Sequence, residues 1–505
     1  MDSPAHADYA AAYAAGRPCL VSARLIADLE TPVSAFLKLS AGRVGRIFLL
    51  ESVEGGAARG RYSMIGLDPD IVWRAFGDRA EINRSALSDP DSFSPCAEPP
   101  LDSLRALIAE SRIDASEELP PMAAGVFGYL GYDMARQMEQ LGAPKPDPLG
   151  APDAMMMRPT VMVVFDSVRE EIFVVTPLRP APGVSFLAAY DHARERIDAV
   201  SVTLEGPLQH DWVAADPALS TVAPTSNTSE ARFHEMVARA KDYVRAGDIF
   251  QVVLSQRFSA PFGLHPFALY RALRRVNPSP FLCYLDFGPF QIVCSSPEIL
   301  VRLRDGKVTI RPIAGTRWRG KTKAEDDALA QDLLGDEKEC AEHLMLLDLG
   351  RNDVGRVAEI GSVKVTEQFA IERYSHVMHI VSNVEGRLSK THDAIDALSA
   401  GFPAGTVSGA PKLRAMEIID ELETDKRGVY GGCIGYFGAS GEMDTCIILR
   451  TAMVKDGVMH VQSGAGIVYD SDPAYEQREC VNKAQALFRA AEEAVRFASR
   501  AKRGQ

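Results

Sequence analysis

Hydrophobic positions in the second half of the chain switch between a helical and a strand period. SEARFHEMVARAKDYVRAGD, opening at Ser229, puts Phe233, Val237, Ala240 and Val244 on one helical face, with Gly247 as a C-terminal stop. The short apolar runs IFQVVLSQRF, FLCYLDF, FQIVCSS and KVTIRPI read as strands. DEKECAEHLMLLDLGRND, Asp336 to Asp353, returns to the helical period. HVMHIVSNVEG then reads as a strand and KLRAMEIIDELE as a helix. Three strands follow in order, GGCIGYF, DTCIILRTAMV and VMHVQSGAGIV, the last two joined by a turn at Lys455, Asp456 and Gly457. A long helix closes the chain, with Asp472 as its N-cap and Pro473 as its first residue.

Upstream, RIFLLES reads as a strand ending in a charge, TVMVVFDSVREEIFVVT as a hairpin and FLAAYDHARERIDAV as a helix. The first twenty residues look loosely ordered. EGPLQHDWVAADPALSTVAPTSNTS, residues 205–229, is rich in Pro, Ser, Thr and Ala and reads as a connection between domains spanning 20–204 and 230–495. Strands in consecutive hairpins, with helices grouped between them, predict an α+β fold rather than a doubly wound parallel sheet.

Composition narrows the function. The chain has 505 residues, too many for one ordinary core. It is 46% hydrophobic and 24% charged, as a soluble globular protein is. A net charge of −13 leaves no basic footprint for nucleic acid, and no apolar run is long enough to span a bilayer. The N-terminus lacks the basic start and apolar centre of a signal peptide. Eight cysteines show neither CxxC nor metal-site spacing and read as reduced, buried thiols in a cytoplasmic protein. There is no GxSxG elbow, no HExxH and no dinucleotide fingerprint after a strand.

The candidate chemistry is acidic. Glu339 and Glu342 lie three residues apart on one predicted helix, and Glu476 and Glu479 repeat the spacing on another, so each pair shares a face. Glu339 also fits a capping box with Asp336, and the second pair lies where a helix dipole favours anions. Two carboxylates about 4 Å apart repel by about 4 kcal/mol at an effective dielectric of about 20. Four converging carboxylates therefore call for a cation, and an all-oxygen ligand set points to Mg²⁺. Other features have both a structural and a chemical reading. AGFPAGTVSGAPKLRAMEII is a Gly/Ser/Thr loop opening a helix, suited to an anion or to a plain turn. His376 and His379 fall on opposite faces of their strand, and either could be a general acid or base. Arg450, a charge within an apolar strand, needs a carboxylate from the protein or a ligand. Burial of Glu298 in CSSPEIL would raise its pKa and suit it to acid catalysis. TRWRGKTK, residues 316–323, reads as a solvated basic loop.

Taken together, PIAGTRWRG, DEKECAEHLMLLDLGRND, YSHVMHIVS, GTVSGAPK, YGGCIGYF, LRTA, SGAGIV and YEQRECVNKA resemble the chorismate-utilising enzymes over about 230–490. LLESVEGGAARGRYSMIG resembles the regulatory half of that family, and the chain is most similar to its anthranilate synthase branch. The resemblance implies antiparallel sheets packed with helices in a layered core, with a smaller N-terminal regulatory subdomain. It implies ammonia addition at C2 of chorismate with loss of the 4-hydroxyl, then release of pyruvate to give anthranilate. By the same resemblance Glu342 and Glu479 ligate Mg²⁺, and Glu339 and Glu476 support it. Glu298 matches the acid for the leaving hydroxyl, and His379, rather than His376, the catalytic histidine. Tyr430, Arg450 and the Gly466 amide, within Gly464, Ala465 and Gly466, match groups that hold the enolpyruvyl carboxylate. Thr406, Gly315, Thr316 and Lys483 match the rest of the pocket. A separate glutaminase subunit in a heterotetramer and feedback inhibition by tryptophan are also implied. Leu50, Glu51 and Ser52 match the effector site, with Pro280, Phe281 and Leu282 opposite; relatives often carry Met where Leu282 keeps the apolar contact.

Two positions discriminate within the family. Relatives that make aminodeoxychorismate usually carry Lys where Ala314 stands, and isochorismate and salicylate synthases a lysine base where Gln251 stands. Neither residue here can act as nucleophile or activate water, which favours external ammonia. An aminodeoxychorismate synthase and a non-catalytic binder of chorismate or tryptophan are the competing readings.

Overall fold

The computed structural model describes residues 4–43, 45–52, 60–114, 116, 118–208, 223–374 and 377–500. The helices start where the sequence places side-chain caps. The Ser229 hydroxyl accepts from the Arg232 amide at the start of Glu230–Ala246, which ends at Gly247 with φ of 81°. Asp336 accepts from the Lys338 and Glu339 amides at the start of Glu337–Gly355. Asp472 accepts from the Tyr475 amide at 2.8 Å, opening Pro473–Arg500. The N-terminus departs from its expected looseness. Residues Pro4–Ala14 form an alanine-rich helix whose Tyr9 and Tyr13 rings lie against Tyr190 and Phe186.

The strands form two antiparallel sheets with helices on the outer faces. In the first sheet, Gly125–Leu130 pairs with Cys433–Gly438, which pairs with Met443–Ile447; the order continues through Ile299–Arg304 and Lys307–Ile310 to Val377–Arg387. In the second, Ile47–Ser52 pairs with Phe281–Asp286, then Phe290–Ser296, Thr451–Lys455, Val458–Ile467 and Gln251–Pro261. Strand Ala154–Asp166 joins the two, pairing with Gly125–Leu130 and with Tyr62–Phe76, which pairs in turn with Ile47–Ser52. Phe48, Met64, Phe127, Tyr129, Ile292, Ile434 and Met453 pack between the sheets. Strands of the first half thus hydrogen-bond directly to strands of the second. The expected connection at 205–229 lies mostly outside the described residues, which omit 209–222.

Two predicted elements are corrected. DTCIILRTAMV is not one strand: Met443–Ile447 belongs to the first sheet and Thr451–Lys455 to the second. The chain crosses between them at residues 448–450, and Arg450 takes a left-handed φ of 48°. The basic stretch at 316–323 is not simply a solvated loop. Thr316–Trp318 completes strand Ile313–Trp318, Arg317 pairs with Asp332 and Asp336, and Arg319 with Asp326.

Candidate active site

The site grows from the two places where strands change sheets. Pro297 and Glu298 connect Phe290–Ser296 to Ile299–Arg304, beside the crossing that carries Arg450. Each crossing holds the other: the Ile447 amide donates to the Glu298 carbonyl at 3.0 Å and the Ser295 amide to the Arg450 carbonyl at 3.3 Å. An apolar run turns aside here because its backbone has hydrogen-bond partners in both sheets. Glu298 and Arg450 thereby face one cavity of about 520 Å³.

Burial pushes the Glu298 carboxyl up to about 8, against the hydrogen bonds from Thr406 and the Ile313 amide and the charge of Arg450. The Thr406 hydroxyl donates to its Oε1 at 2.9 Å. The group is therefore a protonated acid near neutral pH. Arg450 has no carboxylate partner among the described residues, and burial pulls its pKa down from the ordinary guanidinium value. A desolvated guanidinium left without an anion is arranged to receive one.

His379 lies across the cavity, on strand Val377–Arg387. Its Nδ1 is 2.8 Å from the Gly315 carbonyl and 3.1 Å from the Thr316 hydroxyl. A carbonyl only accepts, so Nδ1 carries the proton and Nε2 is the free acceptor. Burial lowers the His379 pKa and keeps the ring neutral. Gly315 has φ of 68°, and a Cβ there would lie 3.0 Å from Leu333 and 3.2 Å from Glu339 Oε2. The close approach of Glu339 thus depends on a residue without a side chain.

Both glutamate pairs reach this cavity, Glu339 and Glu342 from Glu337–Gly355, Glu476 and Glu479 from Pro473–Arg500. The Glu342 carboxyl is pushed up by burial and by Glu339; Glu476 is pushed up by burial and by Glu479. Neither forms an ion pair among the described residues. Glu339 lies 3.5 Å from Arg317, and Glu479 is 2.6 Å from Lys483. Among the described residues only Cys283, Cys294 and Cys446 bring three potential ligand atoms within 4.8 Å of one another. The glutamates therefore make an open rim rather than a closed cage. An open, oxygen-only rim with burial and like charge acting on its carboxylates fits a magnesium ion that keeps waters and takes oxygens from a ligand.

The structure also gathers Thr316, Tyr430, Gly464, Gly466, Gln251 and Lys483 around the same space. Lys483 donates to the Gly464 carbonyl at 3.0 Å. A Cβ on Gly466 would come 2.3 Å from Gln251 Nε2. Gln251 Oε1 is buried and lacks a hydrogen-bond partner among the described residues. Ala465 is not part of the wall; strand alternation turns it into the core beside Ile467. His376 lies outside the described residues.

A second cavity, about 700 Å³, lies between the sheets and is lined by Leu50, Glu51, Ser52, Pro280 and Phe281. Leu282 is not with them. It stands directly opposite Glu51, on the same face of the sheet, and packs into the core that includes Tyr270. Glu51 is buried and already engaged: Tyr270 donates to it, and Arg274 Nε and Nη2 lie 2.7 and 3.0 Å from its oxygens.

Sequence reasoning missed a buried clamp beneath the active site. Arg427 donates to the Val407 carbonyl at 2.7 Å and the Val253 carbonyl at 2.6 Å, and is held by Glu423. It thus ties the Thr406 loop to the Gln251 strand. Its only signal was a Glu-Arg pair at i,i+4 past the end of a helix.

Residues 54–489 match the family model described as chorismate binding enzyme. Anthranilate synthase component 1 of Cereibacter sphaeroides is 59% identical over 492 residues, covering 97% of this chain and 98% of that protein. The protein of the same name from Pseudomonas aeruginosa is 48% identical, covering 93% of this chain and 94% of its own. Among solved structures, anthranilate synthase component I from Streptococcus pneumoniae superposes with a TM-score of 0.74 at 38% identity, covering 92% of this chain and 99% of that one. The menaquinone-specific isochorismate synthase of Escherichia coli shares the fold with a TM-score of 0.70 at 19% identity, covering 94% and 95%.

Proposed function

The chain belongs to the chorismate binding enzymes, and on that premise we propose that it converts chorismate and ammonia into anthranilate, pyruvate and water. The observation that carries this reading is a single cavity uniting Glu298, Arg450, His379 and the two glutamate pairs. Arg450 and the backbone at Gly466 hold the enolpyruvyl carboxylate, and the Tyr430 hydroxyl lies close to Gly464. Glu342 and Glu479 would hold Mg²⁺, with Glu339 and Glu476 supporting it. When bound, that ion supplies charge neutralisation for the ring carboxylate, which the glutamates alone would repel.

Protonated Glu298 donates to the 4-hydroxyl as it leaves, and Thr406 keeps the carboxyl aimed. Neutral His379, with Nε2 free, takes part in the release of pyruvate. Ammonia is favoured as the incoming group by Gln251 and Ala314, which line the wall where a lysine would be needed to activate water or act as nucleophile. The partnerless Gln251 Oε1 offers ammonia an acceptor.

The same reading assigns a glutaminase subunit as the source of ammonia, assembled with this chain in a heterotetramer. Exposed Trp318 and Tyr475 line a neighbouring cavity of about 490 Å³ that shares His379, Arg450 and Lys483 with the active site. Tryptophan is the proposed feedback inhibitor, in the cavity bounded by Glu51, Ser52 and Phe281. Eight unpaired cysteines suit a reducing, cytoplasmic setting. Turnover of chorismate with ammonium salt and Mg²⁺ is the test: fluorescent anthranilate and equimolar pyruvate are expected. A non-aromatic amine without pyruvate would overturn the reading in favour of aminodeoxychorismate synthesis.

A further inference from the structure

Three cysteines that lie far apart in sequence share one buried spot between the sheets. Cys283 and Cys294 stand directly opposite each other on neighbouring strands, and Cys446 reaches them from the other sheet. Their sulfurs all lie within 4.8 Å of one another. All three residues are buried in the core between the sheets. Cys283 and Cys446 also border the cavity of about 700 Å³, which gives small solutes a way in.

We propose that Cys283, Cys294 and Cys446 form a binding site for a trivalent thiophile of the arsenite class. Charge selects the valence. Three thiolates in an apolar core carry three negative charges, which a monovalent or divalent ion would leave partly uncompensated. Geometry is compatible: a pyramidal trivalent centre with bonds of about 2.3 Å to sulfur spaces its ligands about 3.4 Å apart, inside the 4.8 Å within which these sulfurs lie. No His, Asp or Glu completes the cluster among the described residues, so a tetrahedral zinc ion would lack a fourth protein ligand. The reaction balances without an oxidant. Arsenic exchanges three hydroxyls for three sulfurs, the three thiol protons leave with those hydroxyls as water, and arsenic stays trivalent.

Cys283 and Cys446, which border the cavity, are the sulfurs that an incoming solute meets first. The site also touches the catalytic machinery. Cys294 is paired with Thr451, the residue after Arg450, and its sulfur lies 3.8 Å from the Leu449 carbonyl. Ligation ends that contact, so turnover is expected to fall as the site fills.

Native mass spectrometry of the full-length protein with arsenite tests the site independently of activity. One arsenic per chain is expected, with binding about 10²-fold weaker in C294S and in C446S, because each loses one arm of the chelate. C96S, outside the cluster, should bind as the wild type does. Circular dichroism identifies which variants are folded; should C294S unfold, C283S and C446S carry the same expectation. Undiminished binding in any folded cluster variant, or no arsenic retained by the wild-type chain, overturns the proposal.

Discussion

Charged side chains line both large cavities, but they are treated in opposite ways. Around Glu298, among the described residues, Arg450 has no carboxylate ion pair, Gln251 Oε1 has no donor, and Glu342 and Glu476 form no ion pair, with Lys338 and Lys483 acting on them only at a distance. Around the second cavity several charged groups are ion-paired. Glu51 is held by Tyr270 and Arg274, Asp444 by Arg302 and Arg304, and Lys307 by Glu385. The cost of leaving buried groups unsatisfied is recovered only when a ligand supplies the missing partner, which is how a reactive site is built. A matched site is stable when empty, and a ligand there must exchange with an existing contact, which suits a regulator.

The contrast can be broken at specific residues. E298Q should lower kcat by about 10³-fold, since it removes the proton donor while keeping the shape. It should also abolish the alkaline limb of the pH profile. In the wild type, Glu298 is a protonated acid below about 8, so activity falls as pH rises through that value. Burial holds His379 below its ordinary pKa, which moves the acidic limb of the profile downward. R450A should raise KM for chorismate by about 10–100-fold, the loss expected for a charge-assisted hydrogen bond. An unchanged KM would mean that the lone guanidinium does not meet the substrate.

On the matched side the effects are smaller. R274A frees Glu51 from its competing cation, so tryptophan should bind tighter by up to about 10-fold in calorimetry, with basal turnover little changed. Weaker binding would show that Arg274 helps the effector rather than competing with it. T406V gives the smallest effect. The Thr406 hydroxyl bond favours ionised Glu298, so its loss should move the alkaline limb upward.

How much of this was legible depended on how local the signal was. Caps at Asp336 and Asp472 and the stop at Gly247 are short-range features, and they set the helix ends as expected. The Asp456-Gly457 turn likewise has positive φ at both residues, as its sequence suggests. The glutamate pairs were readable because helix geometry fixes each face, and the structure brings both to one cavity. The break at 448–450 was not readable. IILRT contains no Gly or Pro, and its left-handed arginine is held by hydrogen bonds from a neighbouring crossing. Arg427 and the three cysteines were hidden for the same reason: their partners come from distant segments, and no spacing in the sequence records that. Ala465 and Leu282 were carried along with motifs although strand alternation turns them away from the cavities.

The central claim is that two remote glutamate pairs hold one divalent ion beside Arg450 and Glu298. Manganese, standing in for magnesium, can be titrated into the protein in the presence of chorismate and followed by electron paramagnetic resonance. One ion per chain is predicted for the wild type, with affinity reduced by at least about 10–100-fold in E342Q and separately in E479Q. Wild-type affinity retained in both variants would contradict the account.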